Sequence, residues 1–477
     1  MKKNQAEKFR PQIHITPPKG YLNDPNGLVF FNDEYHVFYQ LYPHGVEGAI
    51  EKHWAHAVST DLVRFKQRGN ALSPDKYGSI WSGSCIVDEH NVSGLFDSAP
   101  QKRGILAYYT STGMTDISIQ RQCMAYSFDG CNFIKYNDGR PIIEQADDPA
   151  NDNDFRDPKV FWYERGKRFL MVTAGGPLRI FSSYNLIDWK AESYDKDIRT
   201  ECPDLFCLKI DGQEKWILSG CGEWYMLGDL IERDDKIKFL PDTGERLPFN
   251  FGSDKYASQV FSNKGERIIK IDWVCGNFNA PEYAKLHDNI FVGALSLPYE
   301  LSLIKVGGKI KLIQKPIAEL ASLRNITKKI DKLMINSESI EFPLSNFDDC
   351  YELVIDIDTG TAERTGIKIH SDGQKHFTSI AYDKALKKLI IDRANSYPDL
   401  APFYNKTYLS ECFELCDNIL KLHVFVDGPI VEVFTQDGLQ VATVLSYSKL
   451  DTQKKIEFFA DNGNAAASNI ILYRLKV

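Results

Sequence analysis

Long apolar runs and helical periodicity are both scarce in this chain of 477 residues. No stretch approaches the roughly 18 consecutive apolar residues that a membrane helix needs, so no membrane partner is expected. The opening, Met1 to Arg10, is charged with no apolar core behind it and does not read as a secretory signal. The ten cysteines form no CxxC pair and no His-linked zinc spacing, so no metal site is expected. With no leader legible, reduced thiols and a cytoplasmic location are the expectation. Positive charge is in deficit as well: 57 Lys+Arg against 65 Asp+Glu leave a formal net charge of −8, which argues against a nucleic-acid partner. Composition is otherwise near the globular average, with 43% hydrophobic and 12% aromatic residues, which excludes collagen-like and disordered classes.

Short aromatic and β-branched runs, broken by Gly, Asn and Asp, dominate instead. One unit of strand, turn and strand recurs. Leu28–Phe31 and Tyr35–Tyr39 flank Asn32-Asp33; Lys159–Tyr163 and Arg168–Val172 flank Arg165-Gly166; Leu205–Leu208 and Lys215–Leu218 flank Asp211-Gly212. Weaker copies pair Ser84–Val87 with Ile105–Tyr109, and Ala257–Phe261 with Arg267–Ile271. A second element, Ser-x-Asp/Asn followed by an aromatic, appears at Ser59–Phe65, Ser127–Phe133 and Ser183–Trp189. Five hairpins, each extended by further strands, read as a five-bladed β-propeller over residues 1–302. A β-sandwich of similar strand content is the competing architecture. Residues 303–335 turn Lys-rich and read as a linker with a short helix at Pro316–Arg324. Alternating runs such as Tyr351–Ile357 and Leu422–Asp427 then predict a C-terminal β-sandwich over 336–477.

Acids open three of the hairpins: Asp24 before Pro25, Asp157 before Pro158, and Glu201 three residues ahead of Asp204. In a propeller the first strand of each blade lines the central channel, so these carboxylates are expected to meet at one mouth. Their mutual repulsion would raise at least one pKa. Cleavage of a glycosidic bond needs that split, with one ionised carboxylate to attack and one protonated carboxyl to release the leaving oxygen. Plain turn chemistry and a dispersed calcium site are the alternatives.

The blocks Asn23-Asp24-Pro25-Asn26-Gly27, Phe155-Arg156-Asp157-Pro158 and Glu201-Cys202-Pro203-Asp204 resemble the signature blocks of glycoside hydrolase family 32. That family holds the invertases, sucrose-6-phosphate hydrolases, exo-inulinases and levanases. Phe38-Tyr39-Gln40, Trp81-Ser82-Gly83-Ser84, Leu295–Leu301 and Phe425–Phe434 extend the likeness over roughly residues 10–450. The resemblance implies an all-β fold, a five-bladed β-propeller followed by a β-sandwich. It implies Asp24 as nucleophile, Glu201 as acid/base, and Asp157 as the group that holds two fructosyl hydroxyls. Asn23, Gln40, Ser82 and Arg156 would grip the sugar, with Trp81 and Trp273 as ring faces. Arg156 is expected to keep Asp157 ionised, with nothing basic beside Glu201 unless Arg199 turns inward. Cys202 reads as a small buried residue, or as a weak thiol donor to Glu201. Asp254 and Tyr256, in the stretch Phe251–Ala257, are placed near the site by a looser match.

Two departures stand out. Tyr21-Leu22 replaces the usual Trp-Met, and the loop 43–54 keeps only Trp54 of two customary tryptophans. The expected activity is retaining hydrolysis of terminal β-D-fructofuranosyl bonds in sucrose or short fructo-oligosaccharides, without a cofactor. A sucrose-6-phosphate hydrolase, a fructosyltransferase and a silent sugar-binding propeller are the rivals. A phosphorylated donor would want a basic cluster at the rim, for which Lys52, Lys159 and Lys255 are the candidates.

Overall fold

The computed structural model describes residues 7, 9–252, 254–262, 265–276, 280–286, 288–336, 339–344, 349–396, 407–448 and 454–476. Ser253 and residues 1–6 and 8 of the charged opening lie outside these. Among the described residues the fold is all-β, with one seven-residue α-helix, Ala280–Leu286, and no helix long and apolar enough to cross a membrane.

All five expected hairpins form as antiparallel pairs, each in a different sheet. The leading strands are Gly20–Phe31, Ser79–Asp88, Arg156–Tyr163, Asp204–Ile210 and Lys255–Val260. Two of the turns show why they close so tightly. Asn32 and Asp33 have φ of 48° and 61°, and Asp211 and Gly212 have 51° and 77°. Left-handed pairs of this kind match the twist of two-residue hairpins, and Asn, Asp and Gly tolerate them best.

The recurring Ser-x-Asp/Asn element is a side-chain-capped turn. Asp61 Oδ1 accepts Val63 N at 3.0 Å and Arg64 N at 2.8 Å, Asp129 Oδ1 accepts Cys131 N and Asn132 N at 2.8 Å, and Asn185 Oδ1 accepts Ile187 N at 3.0 Å and Asp188 N at 2.9 Å. The residue after each acceptor is left-handed: Leu62, Gly130 and Leu186. The closing aromatics Phe65, Phe133 and Trp189 pack onto the apolar clusters. The short polar side chain thus substitutes for a backbone acceptor and sends the chain back toward the core.

The five leading strands are neighbours. The first touches the second and fifth, the second touches the third, and the fourth touches the fifth. The third and fourth are joined by side chains: Lys159 Nζ lies 3.2 Å from the Asp204 carboxylate and donates to Val260 O at 2.7 Å. Strand starts far apart in sequence are thereby brought together, which positions the site.

Residues 303–335, expected as a linker, are mostly strand. Tyr299–Val306 and Lys309–Pro316 complete the fifth sheet, and Arg324–Asn336 opens the next one. Only Ala318–Leu323 is helical, as a 3-10 turn. The Lys-rich composition misled because these lysines lie on exposed strand faces, where charge is compatible with pairing.

Beyond it, two six-stranded sheets enclose one apolar core that includes Leu353, Val424 and Val433 from one sheet and Ile367, Ile391 and Phe458 from the other. This C-terminal unit also holds residues 12–14. Asp427 accepts Gln12 N, Ile13 N and His14 N, and its Oδ2 lies 2.8 Å from His14 Nδ1.

Candidate active site

Asp24 sits where the register of its strand slips between Leu22 and Pro25. Proline cannot donate to the ladder, and such an irregularity re-aims the adjacent side chain. Gly27, in the same block, has φ of 55°, and a Cβ there would lie 2.6 Å from Cys85 Sγ and 2.8 Å from the Phe38 ring. Only glycine fits there. Asn26 ties the block to the second sheet, its Oδ1 accepting Gly83 N at 3.0 Å. Asp24 Oδ2 then receives Ser82 Oγ at 2.5 Å and Gln40 Nε2 at 3.3 Å, with Cys202 Sγ at 3.7 Å.

Asp157 has φ of 61°, unusual for a residue with a Cβ. Two contacts hold it there: its N–H donates to Thr110 Oγ1 at 2.9 Å, and its Oδ2 accepts Cys202 N at 2.9 Å. Glu201 stands in the turn before Asp204–Ile210. Its backbone is gripped by Cys221, whose Sγ donates to Glu201 O at 2.9 Å and accepts Glu201 N at 3.3 Å. Its side chain is 43% exposed, against 6% for Asp157, so Glu201 meets solvent and Asp157 does not.

The electrostatics separate the acids. Burial pushes Asp24 above the ordinary carboxylate range, Ser82 and Asn23 hydrogen bonds pull it down, Glu201 pushes it up and Lys52 pulls it down. Burial likewise raises Asp157, to about 7; Arg156 and the Cys202 N–H oppose this, and Asp24 and Glu201 add to it. Arg156 favours the ionised form of Asp157, as expected, but burial outweighs it. Arg156 directs Nη1 to Asp154 and Nη2 to Glu201, and its nearest approach to Asp157 is Nε at 3.8 Å. The base near Glu201 is Arg156 itself. Arg199 turns outward to Asp152 at 3.1 Å.

Of the other expected residues, Asn23, Gln40 and Ser82 join the Asp24 network. Trp81 is half-buried, with its indole N–H 3.4 Å from Ile50 O, and Trp273 is buried edge-on to Tyr21 at 6.1 Å. Trp54 is fully buried, and its indole N–H donates to Trp81 O at 3.0 Å. Cys202 is buried as expected, but its thiol faces Asp24 rather than Glu201.

Asp254 is elsewhere. It is buried against Arg393, accepts Tyr408 OH at 2.8 Å and accepts Leu445 N at 2.6 Å, so it links the fifth sheet to the C-terminal unit. Tyr256 is the member of that stretch that reaches the acids, donating to Glu201 Oε2 at 3.0 Å. The basic rim does not form from the three lysines. Lys159 pairs with Asp204 and Lys255 with Asp272 at 3.2 Å, both buried, and Lys52 alone enters the site. Sequence reasoning passed over Thr110 and Cys221, which lie in none of the motif blocks.

Residues 14–316 match the model described as "Glycosyl hydrolases family 32 N-terminal domain", and residues 319–474 match "Glycosyl hydrolases family 32 C terminal". A levanase of Bacillus subtilis is 34% identical over 495 residues, spanning 98% of this chain and 71% of that protein. A fructan beta-fructosidase of Streptococcus mutans is 36% identical over 450 residues, spanning 91% of this chain; the chain covers only 31% of that protein's length. The solved exo-inulinase from Aspergillus awamori shares the fold at a TM-score of 0.87, with 24% identity and 99% of each chain covered.

Proposed function

The chain belongs to glycosyl hydrolase family 32, a family of glycosidases, and from this we propose that it releases terminal β-D-fructofuranosyl units with net retention of configuration. One observation carries the reading. Asp24, Asp157 and Glu201, up to 177 positions apart, converge into one cluster: Cys202 hydrogen-bonds to both aspartates, and Arg156 holds Glu201 while its Nε stands 3.8 Å from Asp157.

In this reading an Asp24 oxygen attacks the anomeric carbon, and the glycosidic oxygen leaves with a proton from Glu201. Glu201 then takes a proton from water, whose oxygen displaces the fructosyl ester and restores Asp24. The exposure of Glu201 supports its role, because leaving group and water must both reach it. Asp157 would hold fructosyl hydroxyls. The five sheets are read as five blades around one axis, with the C-terminal sheets as a sandwich.

The donor is proposed to be an unphosphorylated fructoside, sucrose or a short fructan. The names of the two relatives favour fructans, and the inward pairing of Lys159 and Lys255 removes two of three candidates for a phosphate-binding rim. Incubation with sucrose, 1-kestose, levan-type oligomers and sucrose 6-phosphate, with products followed by NMR, is the test. Free β-fructofuranose as first product supports the reading. Longer oligomers would mark a transferase, a hundredfold preference for the phosphate ester would overturn the donor, and no product from any of them would overturn the activity. Asp24→Asn, which keeps shape and loses nucleophilicity, should abolish at least about three orders of magnitude of rate.

A further inference from the structure

Lys52 brings an ammonium into the site with no ion pair among the described residues. It is 8% exposed. Its Nζ donates to Asn23 Oδ1 at 3.0 Å and stands over the Tyr21 ring, 4.3 Å from the centroid. An ammonium can only donate, so Asn23 must turn its oxygen toward it. Asn23 Nδ2 is then left to donate to Gln40 Oε1, at 2.9 Å. Gln40 in turn must present Nε2 to Ser82 Oγ and to Asp24 Oδ2, and Ser82 donates its own proton to the same Oδ2. The chain of bonds runs one way, from a group that cannot accept to a carboxylate that cannot donate. Asn23, Gln40 and Ser82 are all buried, so bulk water is not there to reorient them.

We propose that Lys52 is a positioning residue that sets the polarity of the Asn23–Gln40–Ser82 chain, so that Asp24 always meets hydrogens and never an amide oxygen. The inference rests on Asp24 being the nucleophile. An apolar residue at 52 would release both amides to flip. A flipped Gln40 would set Oε1 against Asp24 Oδ2, and the repulsion would favour the protonated, non-nucleophilic acid. The ionisable groups acting on Asp24 or answering to it are Glu201, Asp157, the Cys202 thiol, the Tyr21 phenol and Lys52, and Lys52 is the cation among them. Arg156 acts on Asp157 and Glu201.

Lys52→Met keeps length and removes the donor, and Lys52→Arg keeps a donor-only cation. The Met variant should lose about tenfold or more in kcat with KM changed less than about threefold, and its acid limb should move to higher pH. The Arg variant should recover most of both. Titration of the aspartate carboxylates by 13C NMR, with Asp24→Asn as the assignment control, reads the same effect without turnover. A wild type inactive on every fructoside would sink the proposed activity and leave that titration to judge Lys52. Unchanged kcat, acid limb and carboxylate titration in the Met variant would overturn the proposal. So would an equal kcat loss in Met and Arg variants with the limb unmoved. If the Met variant does not fold, Lys52→Gln, which can present either end, should show the same upward limb; an unmoved limb there overturns the proposal.

Discussion

The Tyr256 hydroxyl donates to Glu201 Oε2 at 3.0 Å, while Arg156 Nη2 holds Oε1 of the same carboxylate. One oxygen is thus anchored from the fifth sheet and the other from the third, and the glutamate itself leads into the fourth. This is a geometric clamp on the most exposed of the three acids.

Tyr256→Phe removes one side of it. A side-chain hydrogen bond contributes about 0.5–1.5 kcal/mol, so kcat/KM should fall roughly 2- to 10-fold while the melting temperature stays near wild type. Steady-state kinetics on the best fructoside, paired with a thermal melt, is the check. An unchanged kcat/KM would show that the clamp is idle.

Ser82→Ala tests the nucleophile's environment. Asp24 must be ionised to attack, so rate is lost as pH falls through its pKa. Burial already places that pKa above the ordinary range, and the Ser82 hydroxyl pulls it down. Without the hydroxyl the pKa rises, and the acid limb of kcat/KM moves to higher pH. A limb moving to lower pH would contradict the assignment.

His14 makes stability depend on pH. Burial alone would lower its pKa, but its bond to Asp427 and the charges of Asp427 and Glu432 outweigh this and raise it to about 9. The folded value exceeds the unfolded one, about 6.5. The contribution is therefore fully present below pH ~6.5 and is lost as pH rises through about 9, an amount of about 3 kcal/mol. Urea unfolding of wild type and His14→Gln between pH 6 and 9.5 should show the steeper decline in wild type. Parallel curves would sink the claim.

Asp254→Ala separates architecture from chemistry. It leaves the Arg393 guanidinium buried without its carboxylate, which costs about 3–5 kcal/mol. Denaturant midpoints should drop strongly, whereas KM of the folded fraction should hold. A raised KM with an unchanged midpoint would put Asp254 back at the sugar.

Read from the chain alone, the hairpins and capped turns were legible because their determinants are local. Alternation, left-handed Asn, Asp and Gly, and the Ser-x-Asp/Asn cap act within a few residues of themselves. The convergence of Asp24, Asp157 and Glu201 was legible for a related reason: each lies in or just before a leading strand, and neighbouring leading strands bring these segments together. The 303–335 segment was misread because its lysines describe an exposed face and say nothing about pairing.

Partner choice among long charged side chains was decided only by the tertiary structure. Arg156 adjoins Asp157 in sequence, yet its Nη2 meets Glu201, 45 positions on. Lys159 and Lys255 turn to buried aspartates, Asp254 turns to Arg393, and Lys52 turns to Asn23. The energy of two charges grows as their separation shrinks and as water is excluded from between them. Both quantities are set by how sheets distant in sequence pack against each other, so neighbouring residues in the chain did not reveal them.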